Sequence, residues 1–303
     1  MKSIILSGVI GLSLTGSFSA MAGSTQGENA RAVILESLEA RRGEIRGVSA
    51  AQLTYHYSFS LRGVDEVGTT VNVLSGDRYR YWATPTDNPL LDVSWETIYD
   101  GQSHHLFTRR ANVNGWAGLC LTTPGDVREN PIGIPIAWSL GLDFLSPDSD
   151  ACGGCRLRVA DLADETFWNS RVGPMTAEYQ PDGTIIARFP GVEIDGASTV
   201  FVVRFAPGPA GFDPVRIERR LAQGDVPVGA IELGGWQTHT GPGGSIRLPD
   251  VAVISARPEA EGPWQTIGFV TLQQASLASL APDAFVRPLG MRVWANDLER
   301  FVP

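Results

Sequence analysis

Three cysteines, four histidines and almost no lysine define the chemistry open to this 303-residue chain. Cys152-Gly153-Gly154-Cys155 forms a CxxC. A redox CxxC starts a helix after a buried strand. Here the motif follows the polar run Ser146 to Asp150 and leads into Arg156-Leu157-Arg158-Val159, which reads as a strand. A zinc site would need more ligands, and none of His56, His104, His105 or His239 lies near the motif in sequence. The spacing predicts a structural disulfide, either Cys152 to Cys155 or Cys120 to one of the pair. The second choice closes a loop of about 33 residues and contributes roughly 3–4 kcal/mol. His104 and His105 are adjacent, so in a strand they point to opposite faces and cannot chelate one metal. Arg78 and Arg80 share a strand face, where they either meet an acidic headgroup or stand as solvated charge.

Lys2 is the only lysine, which excludes Schiff-base, P-loop and lysine general-base chemistry. The net charge of -9 and pI near 5.0 lack the footprint of a nucleic-acid binder. No G-x-S-x-G, H-E-x-x-H, Walker A or strand-linked G-x-G-x-x-G is present. A Ser/His/Asp triad or a carboxylate pair meets in space and leaves no such trace. No cofactor and no metal are expected. With 43% hydrophobic and 19% charged residues the chain is globular. At this length it buries roughly 75% of its unfolded surface, enough to fold without a metal.

The first residues read as an address. Met1-Lys2-Ser3 is a short positive start, Ile4 to Phe18 is apolar, and Ala20-Met21-Ala22 is an A-x-A site. This predicts a signal peptide over 1–22, cleaved after Ala22. Gly23 follows instead of Cys, so no lipoprotein anchor is expected. No later run of about 18 apolar residues reads as a transmembrane anchor. The expected location is the bacterial periplasm.

Residues 23–27 read as a flexible tail. Ala30, Val33, Ile34, Leu38 and Ile45 recur at helical spacing, predicting a helix over 28–42 that Gly43 can end. The period then changes to two: Leu53, Tyr55, Tyr57, Phe59 and Leu61 alternate with polar residues, predicting a strand with one aromatic face. Val71 to Leu74, a bend at Ser75-Gly76-Asp77, and Arg78 to Trp82 follow. Trp95 to Tyr99 and His105 to Arg109 flank an Asp-Gly turn. Residues 111–175 break the pattern as an insertion that holds all three cysteines and a short apolar helix over 134–144. Strands resume at Met175 and continue to Leu277. The sum is roughly eleven strands in one meander, a single domain over 23–303.

Three motifs in this order resemble the outer-membrane lipoprotein-sorting carriers, the LolA-like family. They are the strand-bend-strand Val71 to Tyr81, the hairpin Ile98-Tyr99-Asp100-Gly101 with His105-Leu106-Phe107, and the ending Phe285 to Val293 with its Pro288 and Gly290. The resemblance covers roughly 28–110 and 175–303. It implies a mainly β (α+β) fold: a strongly curved antiparallel sheet, or incomplete β-barrel, with an N-terminal helix and a helix-bearing insertion covering the concave face. It also implies a non-enzymatic periplasmic carrier for a hydrophobic ligand, a lipid or the acyl chains of a lipoprotein. In the carriers a basic residue and a proline occupy the bend; here Ser75 and Gly76 stand there.

The residues agree with a pocket. A wide sheet with one apolar face must be covered, and two short helices are little cover for so many strands. The candidate cavity lining is Tyr55, Tyr57, Phe59, Leu61, Val71, Val73, Tyr79, Tyr81 and Phe107, with Ile136, Trp138, Leu140 and Phe144 as a lid. A monomer is expected. Two rivals stand beside the carrier: an envelope sensor that binds a protein partner through the same fold, and a secreted hydrolase on a β-scaffold.

Overall fold

The computed structural model describes residues 15–61, 64–85, 93–110, 119–124, 174–194, 197–257, 262–287, 292–295, 298 and 300–302. Among these residues one long helix, α1 (Thr15–Gly47), precedes seventeen strands. The first six are β1 (Ala51–Leu61), β2 (Val64–Ser75), β3 (Arg78–Pro85), β4 (Val93–Tyr99), β5 (Ser103–Arg110) and β6 (Leu119–Pro124). After the insertion come β7 (Thr176–Tyr179), β8 (Ile185–Ile194), β9 (Ala197–Gly208), β10 (Gly211–Leu221) and β11 (Val226–Gly234). Then follow β12 (Gln237–Gly241), β13 (Gly244–Leu248), β14 (Val251–Ala256), β15 (Gln265–Ser276), β16 (Arg292–Ala295) and β17 (Arg300–Val302).

Fifteen of these strands form one open sheet, in the order β17-β16-β6-β5-β4-β3-β2-β1-β15-β14-β11-β10-β9-β8-β7. The sheet is antiparallel apart from the β6–β16 pair, and it does not close into a barrel. β12 and β13 form a separate ribbon. The single meander expected from sequence is therefore two meanders. They join where β1 pairs with β15, more than two hundred residues away. Register shifts at Thr54/Tyr55, Pro214/Arg216, Arg219/Arg220 and Ile254/Ser255 are places where a strand bends and twists more strongly.

Alternation explains the layers. On β1, Leu53, Tyr55 and Tyr57 are buried while Gln52, His56 and Ser60 are exposed. Their face continues through Val270, Ile254, Ile231, Ile217, Val203 and Ala187 into one large core. The opposite face carries a small second cluster of Val73, Ile98, Cys120, Phe285 and Val293. Farther along, that outer face is a lattice of ion pairs: Arg188–Asp225, Arg204–Asp182, and Arg216 and Arg220 on Glu218.

α1 covers part of the large core with Ala30, Ile34, Leu38 and Ile45. It runs from the edge strand β7 past β10 and β13 to the β2–β3 turn. Near its start a Cβ at Gly27 would touch Ala177 O. In the middle Arg41 donates to Asp213 Oδ1 at 2.6 Å and to Arg247 O at 3.3 Å. Arg247 grips the same carboxylate at 2.8 Å, and Trp236 lies under both guanidiniums, 4.5 Å from Arg41 and 6.0 Å from Arg247. Just past its end Val48 O accepts from Gly76 N at 2.7 Å.

Several expectations are corrected. Residues 23–27 are helical and not a flexible tail, because extending an existing helix costs far less than starting one. Gly43 does not end the helix. It faces open space, so it costs only about 1 kcal/mol while Arg41 and Ile45 anchor either side. Cys120 forms no disulfide; it is a buried thiol on the outer face, packed among Ile98, Phe285 and Val293. Cys152, Cys155 and the helix expected over 134–144 lie outside the described residues. β6, β12, β16 and β17 were not among the expected strands; they are short and carry weak alternation.

Candidate functional site

Strand register sorts the inward side chains of β1 to β5 into rows across the sheet. The first row is Ala51, Leu74, Tyr79, Tyr99 and His104. Tyr99 stacks on His104 with centroids 4.6 Å apart and lies 5.9 Å from Tyr79, whose hydroxyl bonds His104 Nδ1 at 3.2 Å. The second row holds Leu53, Asn72, Tyr81 and Thr97, and the third Tyr55 and Thr70. In the fourth, Tyr57 faces Gly68, whose missing side chain leaves room for the ring: a Cβ there would stand 2.5 Å from the Tyr57 hydroxyl. Gly268 makes the same room for Phe59. The principal strand partners of α1 are β7, β8, β10 and β13, so this aromatic floor lies beside the helix and not beneath it.

Among the described residues, three neighbouring polar groups in the floor have no partner. Both amide atoms of Asn72, Thr70 Oγ1 and the Tyr55 hydroxyl are buried without a hydrogen bond. The residues are 0%, 1% and 4% exposed. Burial, with the nearby charge of Asp250, pushes the Tyr55 hydroxyl well above its usual pKa, so it stays a neutral donor. Buried polar atoms are nearly always paired, and each orphan costs about 1–3 kcal/mol.

The register separates the expected cavity residues. Tyr55, Tyr57, Phe59, Tyr79 and Tyr81 share the inner face. Val71 and Val73 belong to the outer one, because they pair with Trp82 and Arg80. They cannot line the same cavity as the tyrosines, since a strand sends successive side chains to opposite faces. The side chains of Leu61 and Phe107, and residues Ile136, Trp138, Leu140 and Phe144, lie outside the described set. Sequence reading missed Thr70, Asn72, Tyr99 and His104. The bend at Ser75–Asp77 could have revealed two of them: counting back from it puts Thr70 and Asn72 on the aromatic face.

A second hollow opens on the outer face. It is a cleft of about 390 Å³ lined by Arg78, Asp100, His105, Pro282, Phe285, Val286 and Arg287. Asp100 Oδ1 accepts from Gln102 N and Ser103 N, both at 2.8 Å, and Oδ2 meets His105 Nε2 at 3.1 Å. Burial works to raise the Asp100 pKa, but the backbone and His105 bonds outweigh it and hold the carboxyl below its usual range. His105 Nε2 is therefore the donor. Arg78 stacks over Phe285 at 4.8 Å and donates to Ser75 Oγ at 3.0 Å. Its neighbour Arg80 is committed elsewhere, to the buried Glu96 and to Ala284 O. Among the described residues no group of three His, Cys, Asp or Glu could hold a metal, and no helix is long and apolar enough to cross a membrane.

No protein-family model matches this chain, and no curated protein matches it. Several solved structures are similar, three of which follow. One is a LolA superfamily protein from Nitrosomonas europaea, 11% identical over 83% of this chain and 96% of that one, TM-score 0.43. Another is described as an outer membrane lipoprotein-sorting protein domain, from Vibrio parahaemolyticus, at 6% identity, 83% and 95% coverage and TM-score 0.40. The third is a DUF1329 family protein from Desulfovibrio piger, at 8% identity, 89% and 99% coverage and TM-score 0.40. The chain is thus remotely similar in structure to LolA superfamily proteins and lipoprotein-sorting domains.

Proposed function

We propose that this protein is a non-enzymatic binder or carrier of a lipid or acyl chain in the bacterial periplasm. The observation that carries the reading is the floor of β1 to β5: aromatic, beside the helix, and set with the unpartnered groups of Tyr55, Thr70 and Asn72. An apolar surface with a few convergent polar groups is the usual form of a small-molecule site. An acyl ester or amide offers what these groups lack. Its carbonyl accepts from the Asn72 amide or the Tyr55 hydroxyl, and its hydrocarbon lies on the rings. Residues 23–303 act as one domain in this reading, and the apolar run 134–144 of the insertion serves as the lid. The leader over 1–22 directs export.

Native mass spectrometry on protein isolated from the periplasm without detergent tests the proposal, followed by organic extraction. The expected result is a stoichiometric lipid or acyl species. An unliganded mass that takes up no added phospholipid or fatty acid would sink it. A co-purifying envelope protein in place of lipid would favour the sensor.

A further inference from the structure

We infer that the outer-face cleft between the β2–β3 and β4–β5 turns and residues 282–287 is a binding site for a small oxyanion, a phosphate or carboxylate group. This goes beyond lipid carriage and is independent of it, because the cleft and the aromatic floor lie on opposite faces of the sheet.

The argument begins with charge. Arg78 lines the cleft together with one carboxylate, Asp100, and the two form no ion pair among the described residues. Three hydrogen bonds already occupy that carboxylate, from Gln102 N, Ser103 N and His105 Nε2. Those bonds hold the carboxylate in place beside the His105 ring. Among the described residues Arg78 has no carboxylate partner. The contrast with Arg80 is direct: two residues along the same strand face, Arg80 is matched by the buried Glu96, and Arg78 is not. Guanidinium forks bind phosphate and carboxylate in two-pronged fashion.

Geometry supports the same assignment. Arg78 is held rather than waving: its head stacks on Phe285, and its stem passes over Gly101, where an added Cβ would lie 3.6 Å from Arg78 Cγ. A pre-positioned guanidinium loses less freedom on binding. The cleft volume falls in the range of small-molecule sites. Phe285 and the half-exposed Val286 form an apolar rim, which suits an anion carried on an organic body. That body could be a soluble metabolite or the headgroup end of an anionic lipid, and the experiment separates these sources.

The test is a titration of the purified protein followed through the ring resonances of its four histidines, with His105→Gln used to assign His105. One arm uses inorganic phosphate. The other uses dihexanoyl phosphatidylglycerol below its micelle concentration, with the zwitterionic phosphatidylcholine analogue for comparison. A saturable shift of His105 is expected, weakened about tenfold by Arg78→Gln and unchanged by Arg188→Gln on the far strand β8. Comparable affinity in both arms assigns the site to a soluble oxyanion. Affinity about tenfold tighter for phosphatidylglycerol assigns it to a headgroup. No saturable shift in either arm overturns the inference, as does a shift that survives both Arg78→Gln and Arg287→Gln. Arg78 is exposed, and circular dichroism on each variant separates lost binding from lost fold. Lipid bound to the aromatic floor leaves the His105 shift unaffected by Asn72→Leu, so failure of one proposal is distinguishable from failure of the other.

Discussion

Beneath α1, one buried polar cluster is fully paired: Arg41 and Arg247 close on Asp213, and Trp236 donates to Pro214 O at 3.1 Å. In the β1–β5 floor, Tyr55, Thr70 and Asn72 have none. Both regions belong to one apolar core on one continuous sheet face. The difference teaches where the chain satisfies its own buried polar groups and where it does not. Satisfied groups stabilise the folded state, and orphaned ones cost stability, so the carrier reading proposed above rests on the floor and not on the helix.

The largest effect should come from breaking the paired cluster. Asp213→Asn leaves two buried guanidiniums facing each other without a counter-charge, and should cost about 3–5 kcal/mol in urea melts. A loss below about 1 kcal/mol would show that the triad is not what pins the helix. Next comes the seam between the halves. A side chain at Gly243 runs into Ala50 O, where Gly243 O also accepts from Ser49 N at 2.7 Å. Gly243→Ala should cost about 2 kcal/mol, read the same way. In the floor the sign reverses. Asn72→Leu removes the orphaned amide at similar volume, so the ligand-free protein should gain about 1–2 kcal/mol while lipid retention falls about tenfold. A variant that loses both stability and lipid would mean Asn72 is structural.

The outer ion-pair lattice gives the smallest effects. Arg188→Ala should leave the melting temperature unchanged, because exposed pairs contribute little. Glu218 is the exception worth a pH series. Burial pushes its pKa up, but hydrogen bonds and charge from Arg216 and Arg220 outweigh this and hold it below the usual glutamate range. Its folded pKa is depressed, so its contribution is complete above that range and is lost as pH falls below it. Glu218→Gln should flatten the acid limb of the stability curve; an unchanged limb would assign that slope to other carboxylates.

Local order was legible in the sequence. The alternation of Leu53 to Phe59, the bend at Ser75–Asp77, and the turn at Asp100-Gly101 each depend on neighbours along the chain, and each stands in the structure. What could not be read depends on partners far away. Nothing near Arg41 announces Asp213, 172 residues on. Nothing in β2 says that Asn72 will find no partner, because that follows from what the rows above and beside it contain. The cleft is hidden for the same reason: Arg78 is visible on a strand face and Asp100 in a turn, but Phe285 and Arg287 reach them only through the fold.

The pairing of β1 with β15 has a consequence for time. The first strand of the sheet borders one of the last, and neither meander seals its inner edge until the other arrives. Loop closure over such a span is slow, and contacts of this range set the pace of folding. A growing chain therefore holds β1 unpaired on that side until residues 265–276 emerge. The seam between the two meanders is therefore a late event in folding, and the inner face is complete only once it forms.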